Sequence, residues 1–224
     1  MVNNKKKKHR VVVAMSGGVD SSVVAYLLKK QGYDVVGIFL KFWIPPEDRC
    51  GKKKENTCCN LESLAMARQV AESLDIPFYV IHTEEYFKKE IVDYFIKEYE
   101  EGKTPNPCVL CNKFIKFGFL WEKAKELGAD YLSTGHYIKI DKKGQISRPK
   151  DKIKDQTYFL SHIKSNIISH LIFPLADMEK KEVRSIAKKA KLPVYSKKDS
   201  MGVCFIPDGD NSAFLLQNSK KLNK

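Results

Sequence analysis

The apolar positions of this chain fall into two alternating periods. Val11-Val12-Val13-Ala14 is a short, mostly β-branched run, and Val23, Val24, Leu27 and Leu28 follow at helical spacing, so the opening reads as strand, tight loop, helix. That helix ends near Gly32, and Asp34 to Trp43 reads as a second buried strand. Leu61, Leu64, Ala65, Arg68, Ala71 and Leu74 predict the next helix, Pro77 to His82 a third strand, and Phe87, Ile91, Tyr94, Phe95 and Glu98 another helix. Phe117, Leu120, Trp121, Ala124 and Leu127 mark a further helix, before a strand that opens at Asp130 and runs into the loop Thr134-Gly135-His136-Tyr137. The lysine-rich stretch 138–150, with Gly144, reads as a short hairpin, and Lys154 to Leu160 opens a helical piece. Glu179, Val183, Ile186, Ala187 and Ala190 then space out as a basic amphipathic helix, either a solvated face or one turned to RNA. Strands alternating with helices over short connections predict an α/β fold, a doubly wound parallel sheet with right-handed crossovers and a small partial second domain.

Charge adds a partner to this picture. The 224 residues carry a net charge of +13, and five of those charges sit in Lys5-Lys6-Lys7-Lys8-His9-Arg10. The remainder is basic too, which suits a polyanion such as RNA. No signal peptide and no apolar run of membrane-spanning length is visible, so a cytoplasmic protein without a membrane partner is expected. In that setting six cysteines suggest metal binding or catalysis rather than a disulfide framework. Cys50, Cys58 and Cys59 fall in 44–60, a Pro- and Lys-rich stretch read as a mobile loop.

The densest chemistry lies directly after the first strand, in Ala14-Met15-Ser16-Gly17-Gly18-Val19-Asp20-Ser21-Ser22. Two glycines let backbone approach an anion, three serine hydroxyls can donate to phosphate oxygens, and the helix amino end supplies unpaired N–H groups and a partial positive charge. The spacing is not that of a Walker A loop. It resembles the S-G-G-x-D-S loop of the ATP pyrophosphatases (PP-loop enzymes of the adenine nucleotide α-hydrolase-like fold), which cleave ATP between its α and β phosphates. Further along, Thr104-Pro105-Asn106-Pro107-Cys108-Val109-Leu110-Cys111-Asn112 precedes a helix that Asn112 is expected to cap, placing Cys111 at a helix amino end where thiolate is favoured. His136 stands at the same sheet edge as the phosphate loop, with structural and catalytic readings equally open. Cys204, beside Gly202 on a short apolar run, reads alone as a packing residue.

Together these motifs, with Ile115-Lys116-Phe117-Gly118, Lys154-Asp155-Gln156-Thr157-Tyr158-Phe159-Leu160, Lys198-Asp199-Ser200 and Gly202-Val203-Cys204-Phe205-Ile206, resemble the bacterial tRNA-uridine 2-sulfurtransferase (tRNA 2-thiouridylase) family over nearly the whole chain. The resemblance implies ATP-dependent replacement of O2 of the wobble uridine by sulfur. Ala14, Met15, Ser16, Gly17, Gly18, Asp20, Ser21 and Ser22 would hold the nucleotide and Mg²⁺, and Phe39 to Lys41, with Leu40 central, and Gly135 would flank the adenosine. Lys154, Asp155 and Gln156 would meet tRNA. Cys204 would carry a persulfide sulfur from an external donor, and Cys111 would release it, ending as a disulfide with Cys204. Cys108 stands where many members have aspartate, which opens the alternative of a 4Fe–4S cluster on Cys108, Cys111 and Cys204. The family usually continues beyond the Cys204 motif into a central domain and a β-barrel. On this basis 1–10 is a basic tail, 11–150 the PP-loop domain, 151–217 an extension with the last cysteine, and 218–224 a tail expected to fray. A monomer is expected. Two other readings stay open: another ATP pyrophosphatase acting on a different RNA base or small molecule, and an inactive nucleotide- or RNA-binding remnant.

Overall fold

The computed structural model describes residues 8–45, 61–199, 202–206, 209–219 and 221–222. Most of the predicted loop 44–60, with Cys50, Cys58 and Cys59, lies outside the described residues, as does the tail before Lys8. Five strands form one parallel sheet in the order β3-β2-β1-β4-β7: β1 (Arg10–Ala14), β2 (Asp34–Lys41), β3 (Phe78–His82), β4 (Tyr131–Ser133) and β7 (Leu171–Ile172). The short strands β5 (Lys139–Ile140) and β6 (Ile146–Ser147) make the expected hairpin, whose turn is held by Asp141 Oδ1 accepting from the Lys143 and Gln145 N–H groups at 2.8 and 2.9 Å.

The alternation of side chains along each strand separates two cores. Val11 and Val13 of β1 and Val35 and Phe39 of β2 face α1 (Val19–Lys30) and α2 (Leu61–Ser73), with Val183 and Ala187 of α7 (Lys180–Lys189) in the same cluster. Val12, Val36, Ile38 and Leu40 point the other way. That face is covered by a helical run of α3 (Glu84–Phe87), a π-helical turn (Lys88–Val92) and α4 (Asp93–Glu100), and by a second run of α5 (Pro107–Leu110), a π-helical stretch (Cys111–Phe119) and α6 (Leu120–Glu126). Phe205 and Phe214, the latter on α8 (Asn211–Asn218), close that core against Phe95. Helices on both faces make the sheet doubly wound, as the periodicity predicts.

The helical piece expected after Lys154 is a 3₁₀ turn, Thr157–Leu160. Within the tail expected to fray, Ser219 is 2% exposed, and its hydroxyl donates to Glu100 Oε1 at 2.6 Å. The chain leaves β1 toward β2 and β3 on one side and later returns to β4 and β7 on the other, so the sheet order reverses beside β1. Loops after β1 and β4 diverge there, and a crevice at the carboxyl ends of the strands is the geometric result.

Candidate active site

A cavity of about 300 Å³ occupies that crevice. Its floor is the loop between β1 and α1. Met15 N–H donates to the Ile38 carbonyl at 2.8 Å, which carries β1 pairing one residue beyond the strand before the chain turns. Gly17 makes the turn at φ +70°, and a Cβ there would overlap the Ser63 backbone carbonyl of α2, so the position requires glycine on both counts. Ser21 Oγ accepts from Ser16 N–H at 3.2 Å and lies 3.3 Å from Ser16 Oγ, while Ser22 Oγ donates to the Gly18 carbonyl at 2.8 Å. Gly18 offers α1 no side-chain cap, so a cluster of hydroxyls and an uncapped helix amino end border one space.

The loop after β4 supplies the opposite wall. Gly135 packs so closely on the start of α1 that a Cβ would lie 2.9 Å from Ser21 N. His136 Nδ1 lies 2.6 Å from Thr134 Oγ1, and its ring is buried between Phe117 and Phe173. Burial, reinforced by the charge of Lys116, holds its pKa well below the ordinary histidine range, so the imidazole is neutral at physiological pH. Tyr137 donates its phenolic proton to Asp20 Oδ1 at 2.8 Å. Burial and then the neighbouring Asp20 carboxylate push its pKa far above that of an ordinary tyrosine, so Tyr137 remains a donor. Gln156 Oε1 accepts from Tyr137 N–H at 3.1 Å, tying the start of the 3₁₀ segment to the same loop.

A charged network closes the third side. Lys180 Nζ reaches Asp20 Oδ1 and Oδ2 at 2.6 and 2.7 Å and Asp199 Oδ1 at 2.9 Å. Asp199 also meets Lys154 at 2.8 Å and Arg184 at 2.7 Å. Its partial burial raises its pKa, but the hydrogen bonds from Lys154 and Lys180 outweigh that and bring it down to about 2. Lys197 Nζ donates to the Gly17 carbonyl and Ser63 Oγ, both at 3.1 Å, joining this network to the loop between β1 and α1.

The residues singled out in the sequence therefore separate by position. Ala14, Met15, Ser16, Gly18, Asp20 and Ser21 line the cavity from β1 and α1, Leu40 from β2, Gly135 from the β4 loop, and Lys154 and Gln156 from the segment beyond the hairpin. Gly17 and Ser22 shape the loop from behind, and Asp155 is turned to the Thr157 N–H at 2.9 Å. Phe42, Lys116, Lys197 and Asp199 line the cavity without having been assigned a role, and Lys180, read as part of a charged helix face, is turned inward to Asp20.

The described cysteines lie elsewhere. Cys111 is buried in the core beneath the sheet, Cys204 packs against the same cluster, and neither these two nor Cys108 lines the cavity. The expected helix start at Asn112 is corrected: Pro107 begins the helix and Asn106 caps it, its Oδ1 accepting from Cys108 N–H at 3.1 Å. Proline favours the first helical position because its missing N–H has no helical partner there. Cys108 thus occupies the first turn, and Cys111 lies a turn deeper, where the argument for a dipole-stabilised thiolate does not hold. Among the described residues no group of three His, Cys, Asp or Glu side chains is arranged to hold a metal ion. No described helix is long and apolar enough to cross a membrane.

Comparison with known proteins places this geometry in a family. A family model described as the tRNA methyl transferase HUP domain matches residues 9–208. The chain is 47% identical over 213 residues to the tRNA-specific 2-thiouridylase MnmA of Clostridium perfringens (strain ATCC 13124), covering 94% of this chain and 59% of that protein. It is 47% identical over 227 residues to the protein of the same name from Clostridioides difficile (strain 630), covering 99% and 61%. The chain therefore spans about three fifths of the length of these relatives, which carry the name the sequence resemblance pointed to. Among solved structures, a 4-thiouridine synthetase in complex with RNA and bound ATP superimposes with a TM-score of 0.51 at 17% identity, covering 96% of this chain and 51% of that one. NMN synthetase from Francisella tularensis does so with a TM-score of 0.50 at 16% identity, covering 88% and 68%. Those two show the fold alone, a parallel sheet with helices on both faces; the family match runs across every wall of the cavity, from β1 to Asp199, and the chain belongs to the tRNA methyl transferase HUP domain family.

Proposed function

We propose that this chain is the nucleotide-activating part of a tRNA-uridine 2-sulfurtransferase, and that ATP binds in the crevice with its phosphates on the Ser16–Ser22 loop. The observation that carries the reading is the convergence on one cavity of an uncapped helix amino end, the Ser16 and Ser21 hydroxyls, the Asp20 carboxylate and four lysines, Lys116, Lys154, Lys197 and Lys198. Leu40 and Phe42 offer an apolar wall for the adenine, and Gly135 lets the nucleotide approach the backbone. Asp20, a hard oxygen donor beside the phosphate loop, fits Mg²⁺; when bound, the ion would screen phosphate charge and favour departure of pyrophosphate.

A uracil C2 carbonyl is a weak electrophile. Attack of O2 on the α-phosphate of ATP, with pyrophosphate leaving, converts that oxygen into part of a good leaving group, AMP. Lys154 and Gln156 stand at the cavity edge and are the residues proposed to meet the target nucleotide, with Asp155 fixing their turn through Thr157. Sulfur follows as a persulfide on Cys204, supplied by an external donor. Its terminal sulfur bonds to C2 as AMP departs; the Cys111 thiolate then attacks the Cys204 sulfur, releasing the thiocarbonyl and leaving a Cys111–Cys204 disulfide. Cys111 lies in the core that Cys204 packs against, which is compatible with the pairing, and their position outside the cavity lining requires the Cys204 segment to shift for transfer.

The test is mass spectrometry of nucleosides from unmodified tRNA incubated with this chain, ATP, Mg²⁺ and a persulfide donor. Appearance of 2-thiouridine only with ATP, and its loss in Cys111→Ser and Cys204→Ser, is the expected result. AMP and pyrophosphate release without thiolation would restrict the chain to the activation step. No tRNA-dependent AMP release would sink the proposal.

A further inference from the structure

Lys180 occupies an electrostatically awkward place. It is the first residue of α7, where the helix dipole disfavours a cation, and its side chain is only 13% exposed. Two carboxylates hold it there, Asp20 from the first turn of α1 and Asp199 from the segment ahead of Cys204. Without its ammonium group these two acids would face each other across the edge of a phosphate-binding cavity. Their other partners are unequal. Asp199 has Lys154 at 2.8 Å and Arg184 at 2.7 Å as well, so it stays neutralised if Lys180 leaves. Among the described residues Asp20 receives only the Tyr137 hydroxyl besides, and Lys180 is the one cation with which it forms an ion pair there.

We infer that Lys180 is a positioning residue, a resident counter-cation that holds the Asp20 carboxylate while the cavity is empty and exchanges to a phosphate oxygen when a nucleoside triphosphate arrives with its divalent cation. The inference rests on the nucleotide reading of the cavity given above. Asp20 passes from ammonium to metal, Lys180 from carboxylate to phosphate, and Asp199 keeps two cations, so charge is balanced before and after the exchange. The built-in cation also excludes a bare metal ion, so metal enters with nucleotide rather than ahead of it.

The experiment uses the whole chain and two readouts: Mn²⁺ binding to nucleotide-free protein by electron paramagnetic resonance, and ATP binding by calorimetry in excess Mg²⁺. For Lys180→Met, Mn²⁺ affinity without nucleotide should rise on the order of tenfold, because a positive charge beside Asp20 has gone. ATP affinity should fall about 30-fold for the lost charge-assisted contact. Adding Asp20→Asn should abolish the gained Mn²⁺ binding, and Lys180→Arg should restore the wild-type pattern in both readouts. A merely structural lysine would weaken ATP binding without improving Mn²⁺ binding, and unchanged Mn²⁺ affinity in Lys180→Met overturns the inference. Should Lys180→Met not fold, Lys180→Gln, closer in polarity, carries the same two expectations. If wild-type protein binds no ATP while Lys180→Met still gains Mn²⁺, the nucleotide reading fails and the pairing of Lys180 with Asp20 stands.

Discussion

A buried, neutral imidazole has a cost that appears only with pH. His136 is 7% exposed, and its pKa is depressed by burial and by Lys116, so in the folded chain it stays unprotonated where an unfolded chain would take up a proton. Its contribution is therefore neutral above the ordinary histidine pKa of about 6.5, and below that it progressively favours unfolding. Urea denaturation at several pH values should show stability declining as pH falls below about 6.5, and His136→Gln should flatten that decline. An unchanged slope would mean that another group titrates. Residues such as Ser16, Gly17, Gly18 and Ser21 were legible in the sequence because their chemistry is local, a loop and the helix it feeds. Lys180 was not, since nothing in a run of five basic residues along one helix marks the one that turns inward; its partner Asp20 lies 160 positions away. Cys111 was misplaced for a different reason: Asn106 and Asn112 both suit a cap, and Pro107 was the signal that decided between them.

At the scale of elements, α7 is the strut that joins the two ends of the site. Its entry is fixed by Glu182 Oε2, which accepts from Glu179 N–H at 2.7 Å and from Lys150 at 2.8 Å. Val183 and Ala187 seat it against α1, which leaves Lys180 and Arg184 aimed at Asp20 and Asp199. Asp199, held near pKa 2 against an ordinary 3.8, contributes stability that is full above the ordinary value and disappears as pH falls toward 2. Asp199→Asn should cost about 2 kcal/mol at neutral pH, and the gap from wild type should close on acidification below pH of about 4; chemical denaturation measured at both ends checks it. The strands and helices of the sheet were readable because their periods of two and 3.6 are strong over whole elements. The two-residue strand β7 was not, since so short a segment carries no period and is recruited by β4, where Ser133 Oγ donates to the Ile172 carbonyl at 2.6 Å.

For the molecule as a whole, charge is the coarse determinant of what it meets. A net charge of +13 on 224 residues should make the tRNA binding proposed above strongly dependent on ionic strength. If about four phosphates are neutralised, affinity should fall on the order of 100-fold between about 50 and about 200 mM salt, measured by filter binding. A flat response would show that the basic surface is not the contact. The same connectivity that builds the site also orders its assembly in time. β1, α1 and β2 are consecutive and pair locally, so the loop between β1 and α1 can form as soon as the first strands leave the ribosome. The ion pair from Lys180 to Asp20 closes 160 residues later. A nascent chain arrested ahead of α7 thus displays that loop with an uncompensated carboxylate, and on the nucleotide reading proposed above competence arrives with the last third of the polypeptide rather than with the motif that announces it.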